Sequence, residues 1–130
     1  MSMRIDILDP SGATCAVSIP DSAARVAEGL RFAPARYFWT DANTITIPVS
    51  DLVHTRARPA GIEHAAELMK RAYEGKQERR APLLVCRRPD GKYLVLDGNS
   101  TAAVALAAGW VSVPAKLSPR AGTDYFVSEA

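Results

Sequence analysis

The chain has 130 residues, a hydrophobic fraction of 48%, a charged fraction of 23% and a formal net charge of +2. This length fits one domain with its own hydrophobic core, and the composition is ordinary for a soluble globular protein. The weak positive charge does not favour a general electrostatic nucleic-acid binder, which would carry a larger and more concentrated basic excess.

The first 43 residues predict a hairpin, a helix and an irregular aromatic segment. Apolar and charged residues alternate over residues 3–8, as in a half-buried strand, and residues 14–19 are predicted to return beside it after a turn. Apolar residues at helical spacing predict a helix from residue 20 to about residue 30. Residues 31–42 hold several aromatic residues without a clear period, so we expect a loop held by their packing.

The middle of the chain predicts a strand, a connection and a second helix. Residues 44–49 alternate in hydrophobicity, and Pro48 predicts that this strand ends early or lies at a sheet edge. Residues 51–59 are expected to connect it to a helix over about residues 62–74, which has one apolar and one charged face. Gly75 is a natural stop for that helix.

The last third of the chain predicts a second hairpin, a third helix and further strands. The apolar residues 83–86 and 93–96 lack polar alternation, so both strands are expected to be buried on both faces. Small residues from about 100 to 108 predict a thin helix, followed by a strand over residues 111–115. A last short strand is predicted over residues 125–127.

The order of these elements is hairpin, helix, strand, helix, hairpin, helix and strand. It predicts a compact α+β single domain over residues 1–130, with a small mixed sheet and three main helices, rather than a doubly wound βαβ repeat. Its parts are the N-terminal residues 1–43, a core over residues 44–117 and a C-terminal tail over residues 118–130.

The cysteines and apolar segments bound the class of protein further. Cys15 and Cys86 stand alone without a CxxC pair, so we expect no zinc site and no other metal site. No apolar run approaches a membrane span, and no segment resembles a signal peptide. We therefore expect a cytoplasmic protein that does not associate with membranes.

The turn formed by residues 97–101 is the strongest candidate for a functional site. A helix start leaves its first N–H groups without internal partners, and the helix dipole favours an anion there. Gly98 permits an unusual backbone angle and close approach by a ligand, and Asn99 or Ser100 is the expected N-cap. Asp97 precedes the glycine, and the Ser100 and Thr101 hydroxyls add donors. Turn chemistry alone nevertheless favours an ordinary capped junction.

Four segments follow one another between residues 44 and 117. They are a strand with an arginine-bearing segment (TITIPVSDLVHTRARP), a helix (IEHAAELMKRAYEG), a hairpin with glycine turn and helix (APLLVCRRPDGKYLVLDGNSTAAVALAAGW) and a strand (VSVPAKL). In order and spacing they resemble the core of the ParB/sulfiredoxin superfamily. The resemblance covers just over half of the chain and does not explain residues 1–43.

The resemblance implies a nucleotide or other phosphate-bearing ligand at residues 97–101. Branches of this superfamily include partition proteins that bind and hydrolyse CTP, sulfinic acid reductases that use ATP, a free-serine kinase and proposed nucleases. Gly98 corresponds to the motif glycine, and Arg56 and Arg58 are candidates for the upstream basic contact with phosphate or nucleic acid. ATP or CTP with magnesium is then a candidate cofactor, for which Asp97 could help hold the metal. His54, beside the arginines, is a candidate general base.

The glycine motif departs from the known branches. Sulfiredoxins carry a nucleophilic cysteine after the glycine, where this chain has Asn99, so we reject the reductase activity. Partition proteins carry an acidic residue and two arginines there, where this chain has Asn99, Ser100 and Thr101. Neutral hydrogen bonds are roughly half as strong as charge-assisted ones. The positive charge must therefore come from elsewhere, with Arg56 and Arg58 as candidates, and catalysis stays open.

An alternative of another class is a non-catalytic DNA-binding or protein-interaction module with a degenerate phosphate site. Arg79, Arg80, Arg87 and Arg88 bracket the first strand of the second hairpin and would supply its basic surface. Nearby glutamates favour a charge-balanced, solvated rim over this basic surface. A nuclease ranks lower, since no carboxylate cluster suggests two metals. The sequence determines neither the ligand, the partner nor the oligomeric state.

Overall fold

Two sheets and four helices organise residues 3–118, the part of the chain that the computed structural model describes. In chain order they are β1 (Arg4–Leu8), β2 (Thr14–Ser18), α1 (Asp21–Glu28), α2 (Pro34–Tyr37), β3 (Ile45–Pro48), β4 (Leu52–Val53), α3 (Pro59–Tyr73), β5 (Leu83–Arg87), β6 (Tyr93–Asp97), α4 (Asn99–Ala107) and β7 (Ser112–Leu117). The predicted α+β class, with three main helices and a small mixed sheet, is confirmed. The strand predicted over residues 125–127 lies outside the described residues.

The larger sheet has five strands in the order β3-β7-β5-β6-β4. β5 and β6 form the predicted antiparallel hairpin, while β7 and β4 run parallel to β5 and β6, respectively. β3 lies at one edge of the described sheet and pairs there with β7 alone, which confirms the edge position predicted from Pro48. The N-terminal hairpin of β1 and β2 forms a separate two-stranded sheet.

The core lies between the helices and the larger sheet. The buried face of α3 carries residues at helical spacing, namely Ile62, Ala65, Ala66, Met69 and Ala72. α4 is buried on nearly all sides, because its small residues allow α1, α3 and β5 to contact it closely. The burial of α4 fixes the position of the glycine turn from which it starts.

The aromatic segment is more regular than the sequence predicted. Residues 31–42 include the one-turn helix α2, where a loop was expected. The predicted packing holds for Tyr37 and Phe38, which are buried, and the Tyr37 ring centre lies 5.0 Å from that of Trp110. Phe32 and Trp39 are exposed. The two-residue strand β4 also escaped prediction, because two residues are too few to show a period.

The expectation that β5 and β6 are buried on both faces is wrong for β5. Leu83 and Val85 belong to the core, but Leu84 is 38% exposed and Arg87 is exposed as well. Leu84 is an apolar residue at a surface position, which is common in folded proteins and hides the alternation of a half-buried strand. Cys86 is buried, as predicted.

Candidate functional site

Gly98 forms the junction between β6 and α4. It is the N-cap residue of α4, with φ 92° and ψ 21° in the left-handed region. An added Cβ would stand 2.6 Å from Leu83 Cδ2 on β5, so a larger residue would be strained and also crowded. The prediction that Asn99 or Ser100 caps the helix is wrong, and in the described chain no side chain makes a cap hydrogen bond to α4.

The Asn99 side chain points back into the protein. The residue is 5% exposed, and its Oδ1 accepts a hydrogen bond of 2.9 Å from the Thr55 N–H. Its Nδ2 donates to Thr55 Oγ1 at 3.1 Å and to the Val95 carbonyl at 3.3 Å. Asn99 thus ties the start of α4 to the segment that carries Arg56 and Arg58. The sequence predicted this side chain as a ligand contact. Its hydrogen bonds instead hold the backbone around the cavity in place.

A second helix start lies beside the first one. α3 begins at Pro59 with Arg58 as its N-cap, again without a side-chain cap hydrogen bond among the described residues. An added Cβ on Gly61 would stand 3.0 Å from Ser100 Oγ, so the first turns of α3 and α4 are in close contact. Free N–H groups at a helix start carry partial positive charge, and here two such starts converge.

A cavity of about 560 Å³ opens at this convergence. It is lined by the whole predicted turn, residues 97–101, and by Arg56 and Arg58, so the structure brings the main predicted ligand residues together. Ala57, Gly61 and Arg80 complete the lining. The volume lies within the range of about 300 to 1,000 Å³ that is usual for small-molecule sites.

Arg80 is the cavity residue that the sequence placed only in the alternative basic surface. Its Nη2 donates a long hydrogen bond of 3.3 Å to Thr101 Oγ1, and Thr101 is 2% exposed. The Arg80 Nε is buried and has no hydrogen-bond partner within the described part of the chain. The predicted hairpin held a signal for it, because antiparallel pairing puts the start of β5 beside the end of β6 and hence near the turn.

The Arg80 backbone is fixed from the other side. Its N–H donates to the Tyr37 carbonyl at 2.6 Å, and its carbonyl accepts from the Trp39 N–H at 3.0 Å. These bonds form a parallel bridge between Arg80 and Phe38 next to the buried aromatic cluster. The guanidinium therefore projects from an anchored backbone, which limits the conformational entropy that ligand binding must remove.

The charge of the cavity is positive and unbalanced. Arg56 and Arg58 are exposed, Arg80 is partly buried, and the ion pairs within residues 3–118 involve Lys76, Arg88 and Lys116 instead. Asp97, which is exposed, is the one carboxylate among the described lining residues, and its Oδ1 accepts a 3.0 Å hydrogen bond from the Gly98 N–H. Three guanidinium groups thus face one carboxylate, which favours an anionic ligand.

His54 does not line the cavity. It is 6% exposed, its carbonyl accepts from the Leu8 N–H at 2.8 Å, and its Nδ1 has no hydrogen-bond partner among residues 3–118. Burial lowers the pKa of His54 below its ordinary value of 6.5, so the imidazole is neutral near pH 7. The structure therefore does not bring this predicted general base to the ligand residues. His64 is exposed on α3, as predicted.

The four arginines of the alternative hypothesis lie at opposite ends of β5. Arg79 and Arg80 precede β5, Arg87 and Arg88 follow or end it, and five strand residues span about 17 Å. The Arg87 guanidinium lies 5.8 Å from the centre of the Tyr93 ring, and Arg88 pairs with Asp90 at 3.1 Å.

Across residues 3–118, no three His, Cys, Asp or Glu side chains cluster as metal ligands.

Comparison with known proteins gives no family for this chain. No protein-family model matches it, and no curated protein matches it significantly in sequence. The ParB/sulfiredoxin resemblance therefore stays a prediction. Within the described residues, no helix is long and apolar enough to cross a membrane.

Proposed function

We propose that this chain is a ParB/sulfiredoxin-like domain that binds a nucleotide or another phosphate-bearing ligand in the cavity between the starts of α3 and α4. One observation carries the proposal: two helix starts without side-chain caps converge on a cavity whose three arginines have no carboxylate partner among residues 3–118. Phosphate is the common biological anion that suits both kinds of donor.

The helix starts supply neutral donors in a fixed arrangement. The Ala102 N–H is bonded to the Gly98 carbonyl, so the three N–H groups before it, on residues 99–101, have no partner inside α4. In α3, the N–H groups of Ala60 and Gly61 stand before the first internal bond, from Ile62 to Arg58. A phosphate in the cavity would accept from both sets.

The arginines supply the charge that the glycine motif lacks. Arg56 and Arg58 come from the segment that Asn99 holds in place, and Arg80 comes from the start of the β5 hairpin. A phosphate oxygen would give the buried Arg80 Nε the acceptor that it lacks in the described structure. An unsatisfied buried polar group is costly, so this contact would favour the bound state.

The proposal makes no claim of catalysis. Asp97 is placed to share a magnesium ion with ligand phosphates, since this metal uses one or two carboxylates together with phosphate oxygens. A cytoplasmic location belongs to the same proposal, where Cys15 and Cys86 would stay reduced. Arg87 contacts the Tyr93 ring and Arg88 pairs with Asp90, so these two arginines give the alternative of a DNA-binding module less support.

Calorimetric titration with ATP, CTP and their diphosphates, with magnesium and up to millimolar ligand, tests this function. Binding should give measurable heat, and ligand at ten times the dissociation constant should stabilise the fold by about 1.4 kcal/mol, which raises Tm by several degrees. Arg58→Ala should weaken binding. Arg71→Ala, near the other end of α3 and about 20 Å away, should leave it unchanged. Absence of both heat and thermal stabilisation with all four nucleotides would contradict the proposal.

A further inference from the structure

The cavity walls provide donors for phosphate but little surface for a nucleobase. Among its described lining residues there is no aromatic ring, and the largest purely apolar side chain is the methyl group of Ala57. Stacking on an aromatic ring strengthens base binding by about 5- to 150-fold. A base bound at this cavity would lack that contribution.

Exposed aromatic side chains of the described chain are engaged elsewhere. The Trp39 ring centre lies 4.8 Å from Lys116 Nζ, and Lys116 in turn pairs with Asp41 at 2.6 Å. The Phe32 ring meets the Trp110 ring edge-on at 5.9 Å. Neither Trp39 nor Phe32 lines the cavity.

Apart from the three arginines, which we assign to the phosphates, the polar side chains at the cavity have little capacity to read a base edge. The Asn99 amide is bonded to Thr55 and Val95, and the Thr101 hydroxyl accepts from Arg80. Asp97 could accept from the exocyclic amine that adenine, guanine and cytosine share, so it does not distinguish those three. The Ser100 hydroxyl both donates and accepts, so it fits any base equally.

The charge suits a chain of phosphates. Three arginines and one carboxylate give a net side-chain charge of +2 at the cavity, and each of the two helix starts adds roughly +0.5. A single phosphate monoester carries about −1.5 to −2 at neutral pH, and each further phosphate in a chain adds negative charge. The match is therefore better for di- and triphosphates than for a monophosphate.

We infer that the cavity recognises the phosphate chain of its ligand and does not select the base. Its ligands are then di- and triphosphates in general, with any nucleoside attached or with none. This inference rests on the proposed function and narrows it, because binding of any phosphate compound is required first.

Calorimetric titrations with ATP, GTP, CTP, UTP and inorganic tripolyphosphate, at one magnesium concentration, test the inference. The five dissociation constants should agree within about threefold, and UTP is the most informative nucleotide because uracil has no amine for Asp97. ADP and AMP should bind progressively more weakly than ATP. A nucleotide that binds at least tenfold more tightly than the other three, with tripolyphosphate at least tenfold weaker, would overturn the inference and leave the proposed function standing.

Two variants show where the five compounds bind. Arg80→Met should weaken all five by a similar factor of at least tenfold, while Arg71→Ala should change none of them. Unchanged binding of tripolyphosphate to Arg80→Met would place the phosphates outside this cavity and overturn the inference. If none of the five compounds binds the unaltered protein, the inference and the proposed function both fail.

Discussion

The two ends of α3 border hollows of similar size and different chemistry. At its start lies the cavity of about 560 Å³ with its three arginines. Towards its end, α3 and α1 enclose a groove of about 480 Å³. That groove is lined by aliphatic and aromatic side chains with charged groups around them, namely Arg25, Val26, Leu30, Tyr37, Lys70, Tyr73 and Glu74. Volume alone does not distinguish the two.

The partners of the cations do distinguish them. Beside the groove, the Arg36 guanidinium lies 4.3 Å from the centre of the Tyr73 ring and donates to the Tyr73 carbonyl at 3.0 Å. Lys70 and Arg71 stand in the last turn of α3, where positive charge stabilises a helix end. At the start of α3 the arginines lie beside N–H groups instead of carbonyls, so their charge does not stabilise the helix. Their position favours the binding of an anionic ligand. The position of the cations, at a helix start instead of a helix end, therefore marks the candidate site better than volume does.

The largest expected effect on ligand binding comes from replacing Arg80, beside the start of α3. Arg36, near the other end of α3, provides the matched control. Arg80→Met should weaken ATP binding at least tenfold and leave Tm unchanged or higher, because the buried Nε without a partner in the described chain is removed. Arg36→Met should leave binding unchanged and cost about 0.5–1 kcal/mol of stability through the lost cation–π contact. Calorimetry and thermal melting measure both. A lower Tm with unaltered affinity for Arg80→Met would make Arg80 a structural residue.

Asn99→Ala tests whether the hydrogen bonds of this buried side chain hold the cavity residues in place. The substitution removes three hydrogen bonds and leaves the buried Thr55 N–H unpaired, so we expect a loss of about 2–3 kcal/mol in urea unfolding. ATP affinity should fall several-fold, because Arg56 and Arg58 are no longer held beside the turn. The matched control is Asn43→Ala at an exposed position, with a change within about 0.5 kcal/mol. Equal stability of the two variants would refute the role given to Asn99.

Gly98→Ala and Gly29→Ala compare the backbone at the two hollows. Gly98 has φ 92°, and an alanine there should cost about 1–2 kcal/mol because its Cβ is strained and meets Leu83. Gly29, which lines the groove, has φ −86° and an added Cβ would be 3.5 Å from the Val26 carbonyl oxygen. We expect a change within about 0.5 kcal/mol for Gly29→Ala. Urea unfolding of both variants decides whether Gly98 is needed for its conformation.

The smallest expected effect is a pH dependence of stability. It comes from His54, which lies outside the cavity. Because burial lowers the pKa of His54, the unfolded chain takes up its proton first as pH falls below 6.5. Stability should therefore fall from pH 6.5 down to the folded-state pKa, by at most about 1.4 kcal/mol per pH unit for this one proton. Comparing unfolding at pH 7.5 and 5.5, His54→Gln should reduce the loss, whereas His64→Gln, at an exposed position, should retain it. An unchanged loss in His54→Gln would contradict the assignment of this pH dependence to His54.

The sequence predicted the elements whose signals are local. Alternation gave β1, β2 and β3, Pro48 gave the sheet edge, and helical spacing gave α1 and α3 within a few residues. Residues 97–101 and two arginines were predicted for one site, and the structure lines one cavity with them. These features depend on short-range patterns or on the order of segments along the chain.

The missed features depend on partners far away in the chain. Asn99 looked like a helix cap, but its side chain bonds Thr55, 44 positions away. Arg80 comes before β5 and donates to Thr101, which comes after β6. This contact can be predicted only once β5 and β6 are aligned. His54 was placed with Arg56 and Arg58 by sequence proximity, although its backbone pairs with β1 and its side chain is buried away from the cavity. Residues close together in sequence can therefore lie in different environments, which their spacing alone does not reveal.

The most direct measurement is a titration of the 15N-labelled protein with inorganic tripolyphosphate and magnesium, followed by amide chemical shifts. Anion binding at the two helix starts predicts saturating shifts at Ala60, Gly61 and residues 98–101, with little change at Tyr73 and Glu74 at the other end of α3. The same titration on Arg80→Met should need at least tenfold more ligand. Saturating shifts centred on the groove between α1 and α3, or no shifts with millimolar tripolyphosphate and none with millimolar ATP, would contradict a phosphate site in this cavity.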